Sequence, residues 1–174
     1  MSHSNVVLVT GASGFIGSHV VVQLLDAGYC IKGTARGEKL NSLRDHFKSN
    51  PSFEAVQIED IVSGDFTAAL KDVGDVIHVA SPLAGREEPE ATLNAALEGT
   101  LNVLRQSVKA GVHKVVLTSS WATTLDHWGN TSREDLLATG RSPLYVYCGT
   151  KMLAEQAAWK FTEEHPDLDL ATST

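Results

Sequence analysis

A chain of 174 residues that is 43% hydrophobic and carries a formal net charge of -7 has the composition of one globular domain. The acidic balance argues against nucleic acid or an anionic membrane as a partner, and the apolar stretches are too short to span a bilayer. Two cysteines are too few for a disulfide framework, and no signal-peptide pattern is present, so we expect a cytoplasmic location.

Strands and helices alternate in the first half of the chain. Residues 6–9 are a β-branched run without polar alternation, which is typical of a strand buried on both faces of a parallel sheet. Apolar residues then recur at helical spacing over 15–25. The patterns that follow predict a strand at 30–35, a helix at 38–47, a strand at 53–58, a short helix at 66–70 and a strand at 75–80.

The second half continues the alternation. It is predicted to hold a helix at 88–109, a strand at 115–117, a mostly loop-forming stretch at 126–142, a helix at 145–164 and a strand at 168–172. Strands that alternate with helices build a parallel sheet with helices on both faces. We therefore predict an α/β fold, a doubly wound parallel sheet that forms one domain over residues 1–174.

A glycine turn separates the first strand from the first helix. Gly11 permits the tight turn, Gly14 lets the backbone approach a pyrophosphate, and Gly17 lets the helix pack closely on the strand. The helix N-terminus offers free N–H groups and a positive dipole end to phosphates. Because this turn follows a buried strand and opens an amphipathic helix, it predicts a Rossmann-type dinucleotide site. The predicted cofactor contacts in it are Gly11, Ser13, Gly14, Phe15, Ile16 and Gly17.

The end of the second strand indicates which dinucleotide binds. An acidic residue there selects NAD through the adenosine ribose, whereas an arginine can hold the 2′-phosphate of NADP. Arg36 occupies this position, Lys39 follows, and no acid precedes Glu38. The planar guanidinium donates bidentately to phosphate, so we predict NADPH as the cofactor. The alternative is that Arg36 and Lys39 only solvate a surface helix.

Tyr147 and Lys151 are four residues apart and therefore share one face of a helix. A neighbouring ammonium stabilises the phenolate, so this pair predicts a phenol that can hand a proton to the alkoxide formed when hydride reaches a carbonyl. Ser119 and Ser120 end the preceding strand, at the edge where open α/β sheets bind ligands. A neutral hydroxyl at that edge can hold the substrate oxygen.

These motifs make the chain resemble the extended short-chain dehydrogenase/reductases, in particular the branch of dihydroflavonol reductases, cinnamoyl-CoA reductases and fungal aldehyde or ketone reductases. The resemblance covers residues 6–171 and rests on the segments 10–17, 34–36, 78–82, 99–104, 116–120 and 147–155. It implies an NAD(P)-binding Rossmann fold and a reductase that acts on a small-molecule carbonyl.

The resemblance also implies roles for individual residues. It makes Ser120, Tyr147 and Lys151 the catalytic residues, with Ser119 as the alternative serine. Tyr147 and Lys151 also belong to the cofactor site, where Lys151 bonds the nicotinamide ribose. The remaining implied cofactor contacts are Asp60 and Ile61 near the adenine, and Ala80, Ser81 and Thr118.

Two other functions are weighed against an NADPH-dependent aldehyde or ketone reductase. A non-catalytic NAD(P)-binding sensor or regulatory module would have no need of Tyr147 and Lys151. A sugar-nucleotide epimerase is disfavoured by Arg36 and also by Ala96, a position at which such epimerases often carry Asn.

The chain departs from the family that it resembles in two places. Members of that family have a longer loop between serine and tyrosine, and they continue past the position of Thr174 into a substrate-binding segment. We therefore expect an uncovered C-terminal edge through which this chain self-associates.

Several residues are set aside as structural. The histidines show no metal-ligand spacing, so we predict no metal site, and we interpret His78 as a hydrogen-bonded core residue. Cys148 is interpreted as a packing residue, because no histidine is placed to activate it. Trp121 and Trp128 are equally compatible with a substrate pocket and with loop packing.

Overall fold

A single parallel sheet forms the centre of the protein. The computed structural model describes residues 4–83, 85–124 and 131–174. Within these residues the strands are β1 (Val6–Thr10), β2 (Cys30–Ala35), β3 (Phe53–Gln57), β4 (Asp75–His78), β5 (Lys114–Thr118) and β6 (Asp169–Ser173). Their order in the sheet is β3-β2-β1-β4-β5-β6, which confirms the predicted doubly wound α/β fold.

Helices connect most of these strands, whereas β3 and β4 are joined by a segment without a helix. The helices are α1 (Phe15–Asp26), α2 (Glu38–Phe47), α3 (Pro89–Lys109), α4 (Arg133–Leu137) and α5 (Pro143–Glu164), with one 3₁₀ turn at Trp121–Thr124. None of the helices in the described part of the chain has the length and hydropathy of a membrane span.

The strand order reverses at β1, and this reversal locates the ligand crevice. Val7 of β1 pairs with Ile31 of β2 on one side and with Asp75 of β4 on the other. From β1 the chain crosses over to β2 on one side, and from β4 it crosses over to β5 on the other side. In open parallel sheets a crevice forms beyond the carboxyl ends of such strands. The glycine turn at the end of β1 and the segment that follows β4 lie at this crevice.

Two hydrophobic cores cover the two faces of the sheet. Leu8 points into a core with Phe66 and Leu104, whereas its neighbours Val7 and Val9 join the opposite core. This alternation follows from the two-residue period of a strand. Burying one such side chain contributes about 1.5–3 kcal/mol, so a central strand buried on both faces holds both helical layers in place.

The prediction of a short helix at 66–70 is wrong. The segment makes one turn, in which the Leu70 N–H donates to the Phe66 carbonyl at 2.8 Å. The Phe66 side chain is fully buried, and its N–H donates to Gln106 Oε1 of α3 at 2.6 Å. Long-range contacts with α3 therefore hold this segment, and its apolar residues serve the core rather than a helical repeat.

The interpretation of 126–142 as mostly loop is wrong over the five residues of α4. Ser132 begins this helix: its Oγ accepts from the Asp135 N–H at 3.1 Å, and Asp135 Oδ2 accepts from the Ser132 N–H at 3.0 Å. This reciprocal capping box satisfies two N–H groups at the helix start. The pattern Ser132-x-x-Asp135 is a sequence signal that could have predicted it. Gly129 lies outside the described residues.

Candidate active site

The glycine turn brings the ends of β1 and β4 into close contact. Gly11 has a φ of +66°, a left-handed conformation that favours glycine. A Cβ on Gly11 would lie 2.9 Å from the backbone N and Cα of Ala80, so the space beside the turn admits no side chain. A Cβ on Gly17 would lie 2.2 Å from the Gly11 carbonyl oxygen. Both glycines are therefore required by the packing of the turn itself.

The N-terminus of α1 points its free N–H groups toward the crevice without competition from side chains. Gly14 caps the helix with no side-chain hydrogen bond, and the first turn contains no acidic residue. Phe15 and Ile16 are 82% and 56% exposed, and Gly14, which has no side chain, is exposed as well, so the start of the helix is open to solvent. Four N–H groups at a helix start lack helical partners, and the dipole favours an anion there. This cradle fits the diphosphate of a dinucleotide.

A buried histidine joins the glycine turn to α3. Thr10 Oγ1 accepts from the N–H groups of Val79 and Ala80 at 3.1 and 3.2 Å, which occupies both of its lone pairs. Its hydroxyl hydrogen is therefore donated to His78 Nδ1 at 2.6 Å, and His78 Nε2–H faces Thr100 Oγ1 at 3.4 Å. Burial, followed by the charge of Lys151, lowers the pKa of His78 to about 3, so the ring is neutral. His78 is the hydrogen-bonded core residue that the sequence predicted.

Thr10→Val tests whether this network holds the β4 end in place. The substitution keeps the shape but removes the hydroxyl, leaving His78 and two backbone N–H groups without their partner. We expect a loss of about 1–3 kcal/mol in the free energy of unfolding, measured by urea denaturation. Thr139→Val, at an exposed position, is the matched control and should change little. Equal stabilities of the two variants would contradict the network.

The residues predicted to contact the adenosine end lie beyond the ends of β2 and β3, with Lys39 in the first turn of α2. Arg36 and Lys39 are exposed, so both cations are free to meet a ligand. Hydrogen bonds from Ser63 and from the Val62 N–H, with a smaller contribution from Arg36, lower the pKa of Asp60. Ile61 packs on Gly99 of α3, where a Cβ would lie 2.8 Å from Ile61 Cγ2. Asp60 and Ile61 therefore shape the turn after β3.

Lys151 reaches from α5 to the carboxyl end of β5. Its Nζ donates to the Thr118 carbonyl oxygen at 2.7 Å, and the residue is only 7% exposed. Burial lowers the pKa of Lys151, while the carboxylate of Glu155 opposes this shift. Tyr147, one turn earlier on the same helix, is half-buried. The predicted pair thus belongs to one helix that is anchored on the strand end.

The two serines after β5 have different partners. Ser119 is buried, and its hydroxyl donates to Glu155 Oε2. Ser120 is half-buried, and its Oγ accepts from the Ala122 N–H at 3.2 Å, so its own hydrogen remains available for donation. Glu155 itself was missed as a site residue by the sequence reasoning. Its spacing of four residues from Lys151 was the available signal.

A narrow cleft of about 10 Å³ joins predicted site residues from three parts of the chain. Ala80 and Ser81 contribute from the segment after β4, Ser119 from the end of β5, and Lys151 from α5. The cleft is also lined by Ala96, Thr100, Leu117, Ala154 and Glu155. The structure therefore brings the cofactor segment after β4 and the Lys151 segment of α5 together.

Cys148 and Trp121, two of the residues that the sequence set aside, do not line this cleft. Cys148 is buried, and burial raises the pKa of its thiol, which confirms the packing interpretation. It lines a cavity of about 250 Å³ together with Tyr145 and Met152. Trp121 is 67% exposed, which disfavours the loop-packing alternative for this residue. Trp128 lies outside the described residues.

Comparisons with known proteins agree with this architecture. Aldehyde reductase 2 of Sporidiobolus salmonicolor is 34% identical over 187 residues, which cover 95% of this chain and 54% of that protein. The dihydroflavonol 4-reductase of Dianthus caryophyllus is 33% identical over 175 residues, which cover 91% of this chain and 48% of that protein. The chain thus spans about half the length of the curated relatives it matches.

A solved structure extends the comparison to the fold. The yeast methylglyoxal/isovaleraldehyde reductase Gre2, complexed with NADPH, has a TM-score of 0.85 and 31% identity, and the match covers 97% of this chain and 56% of that chain. The model of the NAD dependent epimerase/dehydratase family matches residues 7–173. These matches confirm the resemblance that the motifs indicated. The chain belongs to the NAD dependent epimerase/dehydratase family, the extended short-chain dehydrogenase/reductases.

Proposed function

We propose that residues 1–174 form the NADPH-binding domain of a reductase that converts an aldehyde or ketone into an alcohol. One contact carries the proposal: Lys151 Nζ donates to the Thr118 carbonyl at 2.7 Å, with Tyr147 one helical turn away and Ser120 two residues after Thr118. The names of the relatives, an aldehyde reductase and a dihydroflavonol reductase, support a carbonyl substrate. The NADPH complex of Gre2 supports the cofactor.

NADPH would lie along the carboxyl edge of the sheet. The glycine turn and the N-terminus of α1 fit its diphosphate, and Arg36 fits the 2′-phosphate. The residues assigned to the cofactor are Gly11, Ser13, Gly14, Phe15, Ile16, Gly17, Arg36, Lys39, Asp60, Ile61, Ala80, Ser81, Thr118, Tyr147 and Lys151. When bound, NADPH supplies the hydride that reduces the carbonyl carbon.

The residues of this chain supply the proton and hold the oxygen. The Ser120 hydroxyl donates a hydrogen bond to the substrate oxygen and so fixes the carbonyl. The Tyr147 phenol transfers its proton to that oxygen, which completes the alcohol and leaves a phenolate. The Lys151 ammonium, buried on the same helix, stabilises the phenolate electrostatically.

The direct test is NADPH oxidation in the presence of small aldehydes and ketones, with product identified as the alcohol. The assay needs a preparation of the protein with measurable catalytic turnover. Turnover requires protein contacts on both sides of the substrate, because these contacts position the carbonyl group. If none of these aldehydes and ketones is reduced although NADPH binding is measurable, the result would support a non-catalytic NAD(P)-binding module instead.

Arg36→Glu tests the cofactor assignment. The substitution places a carboxylate where the 2′-phosphate would bind, so we expect NADPH binding to weaken by about 1.5–3 kcal/mol, the scale of a charge-assisted hydrogen bond. NADH binding should change little. Both affinities are measured by nicotinamide fluorescence. Arg44→Glu, the same charge change at an exposed position of α2, is the control. Equal affinities of the parent chain for NADPH and NADH would contradict the assignment.

Self-association through the outer edge of the sheet stays a prediction. In the described part of the chain, β6 pairs with β5 on one side, and its other edge has no strand partner. An open strand edge presents unpaired N–H and carbonyl groups to another chain.

A further inference from the structure

Glu155 is a buried carboxylate that the proposed mechanism does not use. It is 7% exposed, as is Lys151 one helical turn before it. Charges are almost never buried unless they are paired and hydrogen-bonded, because removing an ion from water costs several kcal/mol. Two oppositely charged side chains that are buried one helical turn apart therefore need a structural explanation.

Both carboxylate oxygens of Glu155 have partners. Oε2 accepts from the Ser119 hydroxyl, and Oε1 accepts from Trp159 Nε1 at 3.4 Å. The Ser119 N–H in turn donates to the Ser173 carbonyl of β6 at 2.7 Å. Ser119 is thus held from two sides. Ser119 lies between Thr118, whose carbonyl oxygen accepts from Lys151, and Ser120. By accepting a hydrogen bond from Ser119, Glu155 therefore fixes the strand end that positions Lys151 and Ser120.

Glu155 lies one helical turn after Lys151, and both residues line the same narrow cleft, so Glu155 is the counter-charge of Lys151. Burial lowers the pKa of Lys151, and Glu155 acts in the opposite direction. His78 of β4 also lies in the field of Lys151, but its ring is neutral, and Tyr147 shares the helix. The charged side chains of the other described elements packed against α5 are exposed or half-buried, among them Glu98, Arg105, Asp135 and Asp169.

We propose that Glu155 is a positioning residue that supplies the counter-charge to Lys151 in their shared cleft and fixes the end of β5 through Ser119. The inference rests on the proposed function, since Lys151 has a role there as the partner of Tyr147. Glu155 touches neither substrate nor cofactor in this proposal, and it acts only through Lys151 and Ser119.

The protonation of Lys151 is measured directly in the 174-residue chain by NMR. Lysine labelled with ¹³C at Cε is titrated with pH, and Lys151→Arg assigns the signal. In Glu155→Gln the counter-charge is lost, so Lys151 should release its proton at a lower pH than in the parent, by about one pH unit or more. Glu163→Gln removes the same charge from an exposed position on α5 and should leave the Lys151 titration unchanged. Identical Lys151 titrations in the two variants would overturn the proposal.

A second variant covers the case in which Glu155→Gln is too unstable for the NMR titration. The double variant Glu155→Gln/Lys151→Met removes both buried charges, so it should unfold at a higher urea concentration than Glu155→Gln alone. No recovery in the double variant would show that Glu155 is needed only for local packing and would overturn the proposal. Neither measurement depends on turnover. A failure of the proposed function, seen as undiminished turnover of Tyr147→Phe, is therefore distinguishable from a failure of this inference.

Discussion

Tyr147→Phe is expected to lower carbonyl reduction by about 10²–10⁴-fold while NADPH binding stays nearly intact. The phenol supplies the proton in the proposed mechanism, whereas the ring alone maintains the packing of a half-buried side chain. Turnover is measured as NADPH oxidation with a saturating aldehyde, and binding is measured by nicotinamide fluorescence in the same preparation.

The control for this experiment is Tyr145→Phe. Tyr145 lies on the same helix, is also half-buried, and its hydroxyl is 3.4 Å from Thr131 Oγ1, outside the proposed site. The Tyr145→Phe variant should keep the turnover of the parent protein. Lys151→Ala should lower both turnover and NADPH affinity, because Lys151 would serve Tyr147 and the ribose together. If Tyr147→Phe retained more than about a tenth of the activity, a general acid role for Tyr147 would be excluded.

Gly17→Ala is expected to damage both the fold and the cofactor site. The new Cβ would lie 2.2 Å from the Gly11 carbonyl oxygen and 2.8 Å from the Gly11 carbonyl carbon, so the backbone of α1 or of the turn must move. Overpacking of this kind costs about 1–3 kcal/mol or more in stability. The N-terminus of α1 moves with it, so NADPH binding should be lost. Urea denaturation and fluorescence titration measure the two effects.

Gly14→Ala separates the role of the glycine turn in packing from its role in cofactor binding. Gly14 has a φ of -86°, and its Cβ would meet the Gly11 carbonyl oxygen at 3.3 Å, so alanine needs only a small adjustment. We expect a stability loss below about 1 kcal/mol, the scale of a change at an N-cap. We also expect weaker NADPH binding, because Gly14 is the exposed N-cap of the helix whose free N–H groups would bind the diphosphate. If Gly17→Ala proved as stable as Gly14→Ala, the close contact between α1 and β1 would have no energetic importance.

Most of the fold could be predicted from sequence because its signals are local. The β-branched run at 6–9, the glycine turn and the helical spacing over 15–25 predicted β1, the turn and α1 without any knowledge of distant contacts. The failures occurred where local signals are weak. The apolar residues of 66–70 fill a core site that α3 creates, and α4 is a short helix whose start depends on one capping box.

The sequence by itself determined the fold class, the glycine turn, the cation at the end of β2 and the spacing of Tyr147 and Lys151. These features depend on residues that are close together in the chain. Only the tertiary structure decided which serine has a free hydroxyl, because Ser119 meets Glu155 across 36 residues of sequence. The same holds for His78, which joins Thr10 and Thr100 from two other elements. Burial is the physical reason in both cases, since hydrogen bonds and charges removed from water depend on neighbours that the chain brings together only when it folds.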